Sequence, residues 1–221
     1  MAQKLVVLIL FGYLFGSIPF SQLIAHARAE VNLREVGEGN VGSRNVWHVV
    51  GPSWGLFAFL LDGLKGLAAY KAAVAVGLPL AGTLLVGVAV LLGHQFPVFL
   101  RGRGGKGLAT ASGVLIGISP LSTIGGFVAL SVAYLVLRDF NPAVTLGCIA
   151  VVVLPVVFRQ PLWVPAYAVV LGLMLGAKKL LDRPHEARVW ERQPWHDDAQ
   201  PGFHRPADGD TEAPAHDTPP R

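Results

Sequence analysis

Long apolar runs separated by short polar loops dominate most of this chain of 221 residues. The first, from Leu5 to Ala27, has 23 residues without Asp, Glu, Lys or Arg. A cleaved signal peptide has an apolar region of about 7–15 residues, so this run reads as a retained span. A bilayer core of about 30 Å needs roughly 20 apolar residues per helix. On that measure the candidate spans are 4–26, 53–76, 79–100, 107–137, 141–158 and 161–180. The fourth contains Ser119-Pro120. Proline removes a helix hydrogen bond and biases the preceding residue away from helix, so 107–137 is either one tilted helix or a hairpin of two short ones.

Loop charge arbitrates, because cytoplasmic loops collect Lys and Arg. A hairpin places 27–52, 101–106, 138–140 and the C-terminal tail on one side. That side then carries Arg28, Arg34, Arg44, Arg101, Arg103, Lys106, Arg138, Lys178 and Lys179, while the other keeps Lys4, Lys71 and Arg159. A single crossing would put Arg138 and the Lys178-Lys179 end opposite the first two basic loops. The expected fold is therefore an all-α, polytopic membrane protein. It has about seven transmembrane helices, some short or re-entrant, and two cytoplasmic polar loops, with the N-terminus outside and the tail in the cytoplasm.

Composition agrees and divides the chain. It is 52% hydrophobic and 14% charged, against about 25% charged residues in soluble domains. Residues 1–181 hold 13 Lys and Arg against 5 Asp and Glu, a net +8, and residues 182–221 hold 5 against 9, a net −4. The expected organisation is a transmembrane domain over 1–181 and a disordered cytoplasmic tail over 182–221, too poor in aliphatic residues to offset its ordering entropy. Cys148 is the lone cysteine, so there is no disulfide framework or cysteine metal site. The tail histidines are irregularly spaced, and no metal, cofactor or nucleic-acid partner is expected.

The chemistry concentrates in two loops on the basic side. "GHQFPVFLRGRGGKGLAT" (93–110) sets Arg101, Arg103 and Lys106 among Gly102, Gly104, Gly105 and Gly107. Glycines let backbone N–H groups approach an anion, and a helix starting near Leu108 adds the positive end of its dipole. Arg supplies bidentate geometry for phosphate. Positive-inside decoration would explain the charges but not the glycines between them. A Walker A loop is excluded, because Gly107 follows the lysine where Ser or Thr is required. The other loop, "VGEGNVGSRNVWHVVG" (36–51), mixes glycines with Asn40, Asn45, Arg44 and His48. Alone it is an ordinary Gly/Asn turn; on the same face as the first it suggests a polar pocket. Asp62 and Lys65 lie three residues apart on one face of the second span, as a structural pair or a catalytic one. His94 closes its span, either capping backbone or reaching the pocket.

These segments, with "GSIPF" (16–20), "GNVGSRNV" (39–46) and "GLFAFLLDGLKG" (55–66), resemble the PlsY-type acyl-phosphate:glycerol-3-phosphate acyltransferases across roughly residues 5–180. The resemblance implies a seven-helix monomeric membrane enzyme of phospholipid synthesis. It would move a fatty acyl group from acyl-phosphate to the 1-hydroxyl of glycerol 3-phosphate, giving lysophosphatidate and phosphate. It also implies catalytic roles for Asn40, Lys106 and Glu38. Substrate binding would fall to Arg44, Asn45, His48, His94, Arg101, Arg103, Gly104, Gly105 and Gly107, with Asp62 and Lys65 in support. The chain departs from the family pattern at three places. Glu38 stands for Ser and Arg44 for Thr, His48 occupies the place of an Arg, and the C-terminal motif keeps only His185 and Glu186 without its Asn. An acid at 38 repels a phosphate dianion, with Arg44 placed to compensate. The alternative is a catalytically altered relative that binds or transports a phosphorylated solute or lipid, or that uses a different acyl acceptor.

Overall fold

The computed structural model describes residues 1–192, which are helical with no strand among them. In chain order they form α1 (Ala2–Gly16), α2 (Phe20–Ala29), α3 (Ser43–Val49), α4 (Pro52–Ala75) and α5 (Leu80–Gln95). After a short 3-10 turn (Val98–Leu100) come α6 (Leu108–Ile118), α7 (Pro120–Leu137), α8 (Phe140–Val157) and α9 (Trp163–Arg192). Five segments are long and apolar enough to cross a membrane: Ala2–Ala29, Leu80–Leu100, Pro120–Leu137, Phe140–Val157 and Trp163–Arg192. Between them sit α4, which carries three ionisable side chains, and α6, whose 11 residues extend only about 16 Å at 1.5 Å each.

The run 107–137 is two helices, as the hairpin reading requires. Ser119 is non-helical (φ −141°, ψ 79°) and Pro120 opens α7 at a position where its missing N–H costs nothing. The first span differs from the expected continuous helix. It stops at Gly16 and restarts at Phe20, because Pro19 offers no N–H to continue the ladder.

A break at membrane depth strands backbone carbonyls that water cannot reach. The Ile18 carbonyl accepts a hydrogen bond from Lys65 Nζ, 3.1 Å away. Lys65 is also 2.8 Å from Asp62 Oδ1, and both side chains are all but fully buried. Asp62 in turn accepts from Ser21 Oγ at 3.0 Å on α2 and lies 3.5 Å from His94 Nδ1 on α5. Thus α1, α2, α4 and α5 are tied by one polar cluster inside an otherwise apolar interior. On the other side of α4, glycines permit close packing with α6. A Cβ on Gly66 would fall 2.1 Å from the Thr110 carbonyl, and one on Gly113 would fall 1.8 Å from that of Gly63. This approach fixes the start of α6, and with it Lys106.

The boundary expected between Leu181 and Asp182 falls inside α9, which continues to Arg192. Asp182 pairs with Lys178 one turn earlier, and Val189 is buried over Gly39 of the first polar loop. The Val189 contact comes from a distant part of the chain and supplies burial that the local composition lacks. The rest of the expected tail, with His196, His204 and His216, lies outside the described residues.

Lys65→Met leaves a buried carboxylate and a helix-end carbonyl without their shared donor. It is expected to lower stability by about 3–5 kcal/mol, read by denaturant titration in detergent micelles. The same change at the peripheral Lys4 is expected to be neutral.

Candidate active site

The first polar loop is organised around one buried side chain. Asn45, at the start of α3, donates from Nδ2 toward the carbonyls of Leu33, Val36 and Asn40 at 2.9–3.0 Å. Its Oδ1 accepts from the Glu38 N–H at 3.0 Å. Both ends of the amide are therefore engaged with loop backbone. Asn45, expected to bind substrate, is placed here to shape the loop and present Glu38. Asn40 differs, because it is 5% exposed and its Oδ1 is buried with no hydrogen-bond partner among the described residues.

Glu38 gathers the other polar groups of this loop. Its Oε1 stands 3.1 Å from Arg44 Nε and 3.5 Å from His48 Nε2. These are ion-pair distances without the alignment of a hydrogen bond. Arg44 also lies over the Phe140 ring, 4.2 Å from its centroid, which orients the guanidinium between α3 and α8. The acid expected to repel phosphate is thus already neutralised by the residue expected to compensate for it.

The second loop touches the first directly. A Cβ on Gly105 would lie 2.4 Å from the Val41 carbonyl and 2.5 Å from His94 Nε2, so only glycine fits between them. Gly104, Gly105 and His94, expected to bind substrate, line a small cavity with Val41, Asp62 and Lys65. The N–H groups of Gly104 and Gly105 donate to the carbonyls of Gln95 and His94, at 3.1 and 3.2 Å, and are not available to a phosphate. His94 is buried beneath the loop against Asp62 and supports it from below. What remains for an anion is Lys106 together with the first-turn N–H groups of α6, which have no intrahelical partner. Gly107 caps that helix with φ 95°. Arg101 and Arg103 are exposed, outside the cluster around Glu38.

The C-terminal half of α9 completes the site. Glu186 Oε1 is 2.8 Å from Lys106 Nζ, and His185 Nε2 is 2.9 Å from the Arg34 carbonyl. Gln95 Nε2 bridges the carbonyls of Lys106 and Met174 at 2.9 and 3.2 Å, which sets the depth of the glycine loop on α9. Arg34 was legible only as one of several basic loop charges. Its Nε and Nη1 are buried and meet no acceptor among the described residues. Burial pulls its pKa below the usual arginine range; Asp182 opposes that, Arg103 adds to it and Glu186 opposes it again. Buried guanidinium donors without acceptors are what an anion site looks like before its anion arrives.

Beside this polar cluster an apolar cavity of about 100 Å³ opens between α6, α7, α8 and α9. Leu108, two residues past Lys106, lines its upper end together with Leu175 and Val144. Leu115, Thr123 and Val151 line its lower end. A cationic head joined to an apolar groove matches the two ends of an acylated phosphate.

The chain matches the family model "Glycerol-3-phosphate acyltransferase" over residues 6–182. Among curated relatives, the glycerol-3-phosphate acyltransferase of Roseiflexus sp. (strain RS-1) is 37% identical over 83% of this chain and 91% of its own length. That of Aquifex aeolicus (strain VF5) is 36% identical over 78% and 90%. Two crystal structures of PlsY (YgiH), an integral membrane glycerol 3-phosphate acyltransferase, share the fold over 84% of this chain and 92% of theirs. The glycerol 3-phosphate form has a TM-score of 0.74 at 33% identity, and the lysophosphatidic acid form 0.71 at 32%. With its two polar loops meeting over a groove between apolar helices, this chain belongs to the glycerol-3-phosphate acyltransferase family.

Proposed function

We propose that this chain is a multi-pass membrane acyltransferase that moves a fatty acyl group from acyl-phosphate to the 1-hydroxyl of glycerol 3-phosphate. The observation that carries the reading is Lys106 at the head of α6, paired with Glu186 and next to Gly105, which packs on the first loop at Val41, with the groove beginning at Leu108. The polar end of the bundle faces the cytoplasm, where its arginines and lysines belong, and the N-terminus lies outside.

An acyl-phosphate is already activated, so positioning and charge stabilisation do most of the work. The acceptor hydroxyl oxygen bonds to the acyl carbon, and the bond from that carbon to the phosphate oxygen breaks. The electron pair leaves with phosphate, whose charge Lys106, Arg34 and the α6 amides stabilise. The hydroxyl proton passes to Glu38, aimed by the Asn45-built loop, and from there to the departing phosphate. Asn40 Oδ1 orients the acceptor, and Arg44 and His48 balance Glu38 through the proton transfer.

Glu186 gives Lys106 a counter-charge that phosphate must displace. A second reading, that the acceptor carries less charge than glycerol 3-phosphate, draws on the same two carboxylates, Glu38 and Glu186.

Steady-state assay with palmitoyl-phosphate and glycerol 3-phosphate tests these roles. Lys106→Ala is expected to lower kcat/KM roughly 10- to 100-fold, the loss of a charge-assisted contact of about 1.5–3 kcal/mol; wild-type turnover in that variant removes the central assignment. Glu38→Gln is expected to reduce kcat by about 10²-fold or more, as for loss of a general base. Glu186→Gln is expected to lower KM for glycerol 3-phosphate several-fold while kcat holds. Should Glu186→Gln leave that KM unchanged and glycerol turn over faster than glycerol 3-phosphate, the less charged acceptor is the correct one.

A further inference from the structure

The groove between α6 and α9 has a measurable depth, and the structure supplies its zero level. Lys106 and Met174 are level, joined through Gln95. Above that level, Lys179 Nζ donates to Asn141 Oδ1 at 3.1 Å. From that polar plane the lining runs from Leu108 to Leu115 on α6, from Val144 to Val151 on α8, and from Leu175 back to Ala168 on α9. Each stretch is seven residues, or about 10 Å of helix. Carbon–carbon bonds of about 1.5 Å advance an extended alkyl chain about 1.3 Å per methylene, so the groove accommodates roughly eight carbons.

Two small residues face each other halfway down. Cys148 lies four residues below Val144, and Gly172 lies three below Leu175. A Cβ on Gly172 would meet nothing within 4 Å, so the wall of α9 is open at that level. The glycines across the groove are different: a Cβ on Gly126 would collide with Val151 and one on Gly147 with Leu130. Their smallness serves helix packing. That of Gly172 serves no contact in the protein, and the cavity is far above the ~10–15 Å³ one water needs and is lined almost wholly by apolar groups.

We infer that Gly172 and Cys148 set the acyl-chain length this site accepts, by leaving open the passage through which carbons beyond about the fifth run down the groove and out toward lipid. The inference rests on the acyl-transfer reading and adds to it the two residues that decide chain length. A helical side chain leans toward the N-terminus of its helix, so Phe at 172 leans toward Ala168, across the path of the chain.

The test compares hexanoyl-phosphate with palmitoyl-phosphate as donors to glycerol 3-phosphate, using the full chain purified in detergent. Gly172→Phe and Gly172→Trp are expected to lower kcat/KM for palmitoyl-phosphate at least ten-fold while that for hexanoyl-phosphate stays within two-fold. Gly176→Phe, also in open space but off the groove lining, is expected to leave the ratio between donors unchanged. A wild-type ratio in both groove variants overturns the inference, and so does an equal loss of both donors. Thermal stabilisation by hexyl phosphate against hexadecyl phosphate gives the same ratio without turnover. A wild-type protein that binds both yet transfers no acyl group therefore sinks the acyltransferase reading alone.

Discussion

The ion pair between Asp62 and Lys65 is the constraint on which the rest of the structure depends. A proline in the first span breaks the helix ladder where no water can repair it, and Lys65 supplies the missing donor to Ile18. The ammonium can be there only because Asp62 neutralises it, and Asp62 is itself held by Ser21 and His94. His94 then carries the glycine loop, with its carbonyl on the Gly105 N–H and its ring under the Gly105 backbone. The helix break and the glycine loop are thereby linked through three side chains, Lys65, Asp62 and His94. Apolar residues could fill the same volume, but none could satisfy the Ile18 carbonyl.

Much of this was legible in the sequence, because hydropathy and proline act locally. The proline rule marked Ser119 as a possible break in 107–137, and loop charge decided for the division. The same rule applied to Ile18-Pro19 foretells the break in the first span, but the apolar run around it masks the signal. The two polar loops were recognisable from their glycines and charges. Which of their groups remain free was not, since that is decided by partners far away in sequence. Asn45 is consumed by carbonyls of Leu33, Val36 and Asn40, and the Gly104 and Gly105 amides by the end of α5. Arg34 and the α9 extension share this character. Their place in the site depends on Asp182, Glu186 and Val189 folding back over residues some 150 positions earlier, as the His185 contact to Arg34 does.

The two acids of the site have different standing, and their attachment explains why. Glu38 sits in a loop whose own N–H is bonded to Asn45, and its side chain is 9% exposed. Glu186 projects from a helix, its side chain is 17% exposed, and its ion-pair partner among the described residues is Lys106. A phosphate arriving at Lys106 competes with Glu186 for the same ammonium and can replace it charge for charge, because Glu186 has solvent to turn into. Glu38 has no such outlet. It must stay beside the substrate, and the Arg44 and His48 groups around it keep a negative charge tolerable near a phosphate dianion. Removing Glu38 would leave Arg44 and His48 to add to an already cationic cradle, which would grip the phosphate product as firmly as the substrate. Binding both equally well gains nothing for the chemical step. In the proposed mechanism the carboxylates therefore serve turnover: one yields its cation to the incoming phosphate, and the other stays to take the proton and keep the site from holding phosphate too tightly.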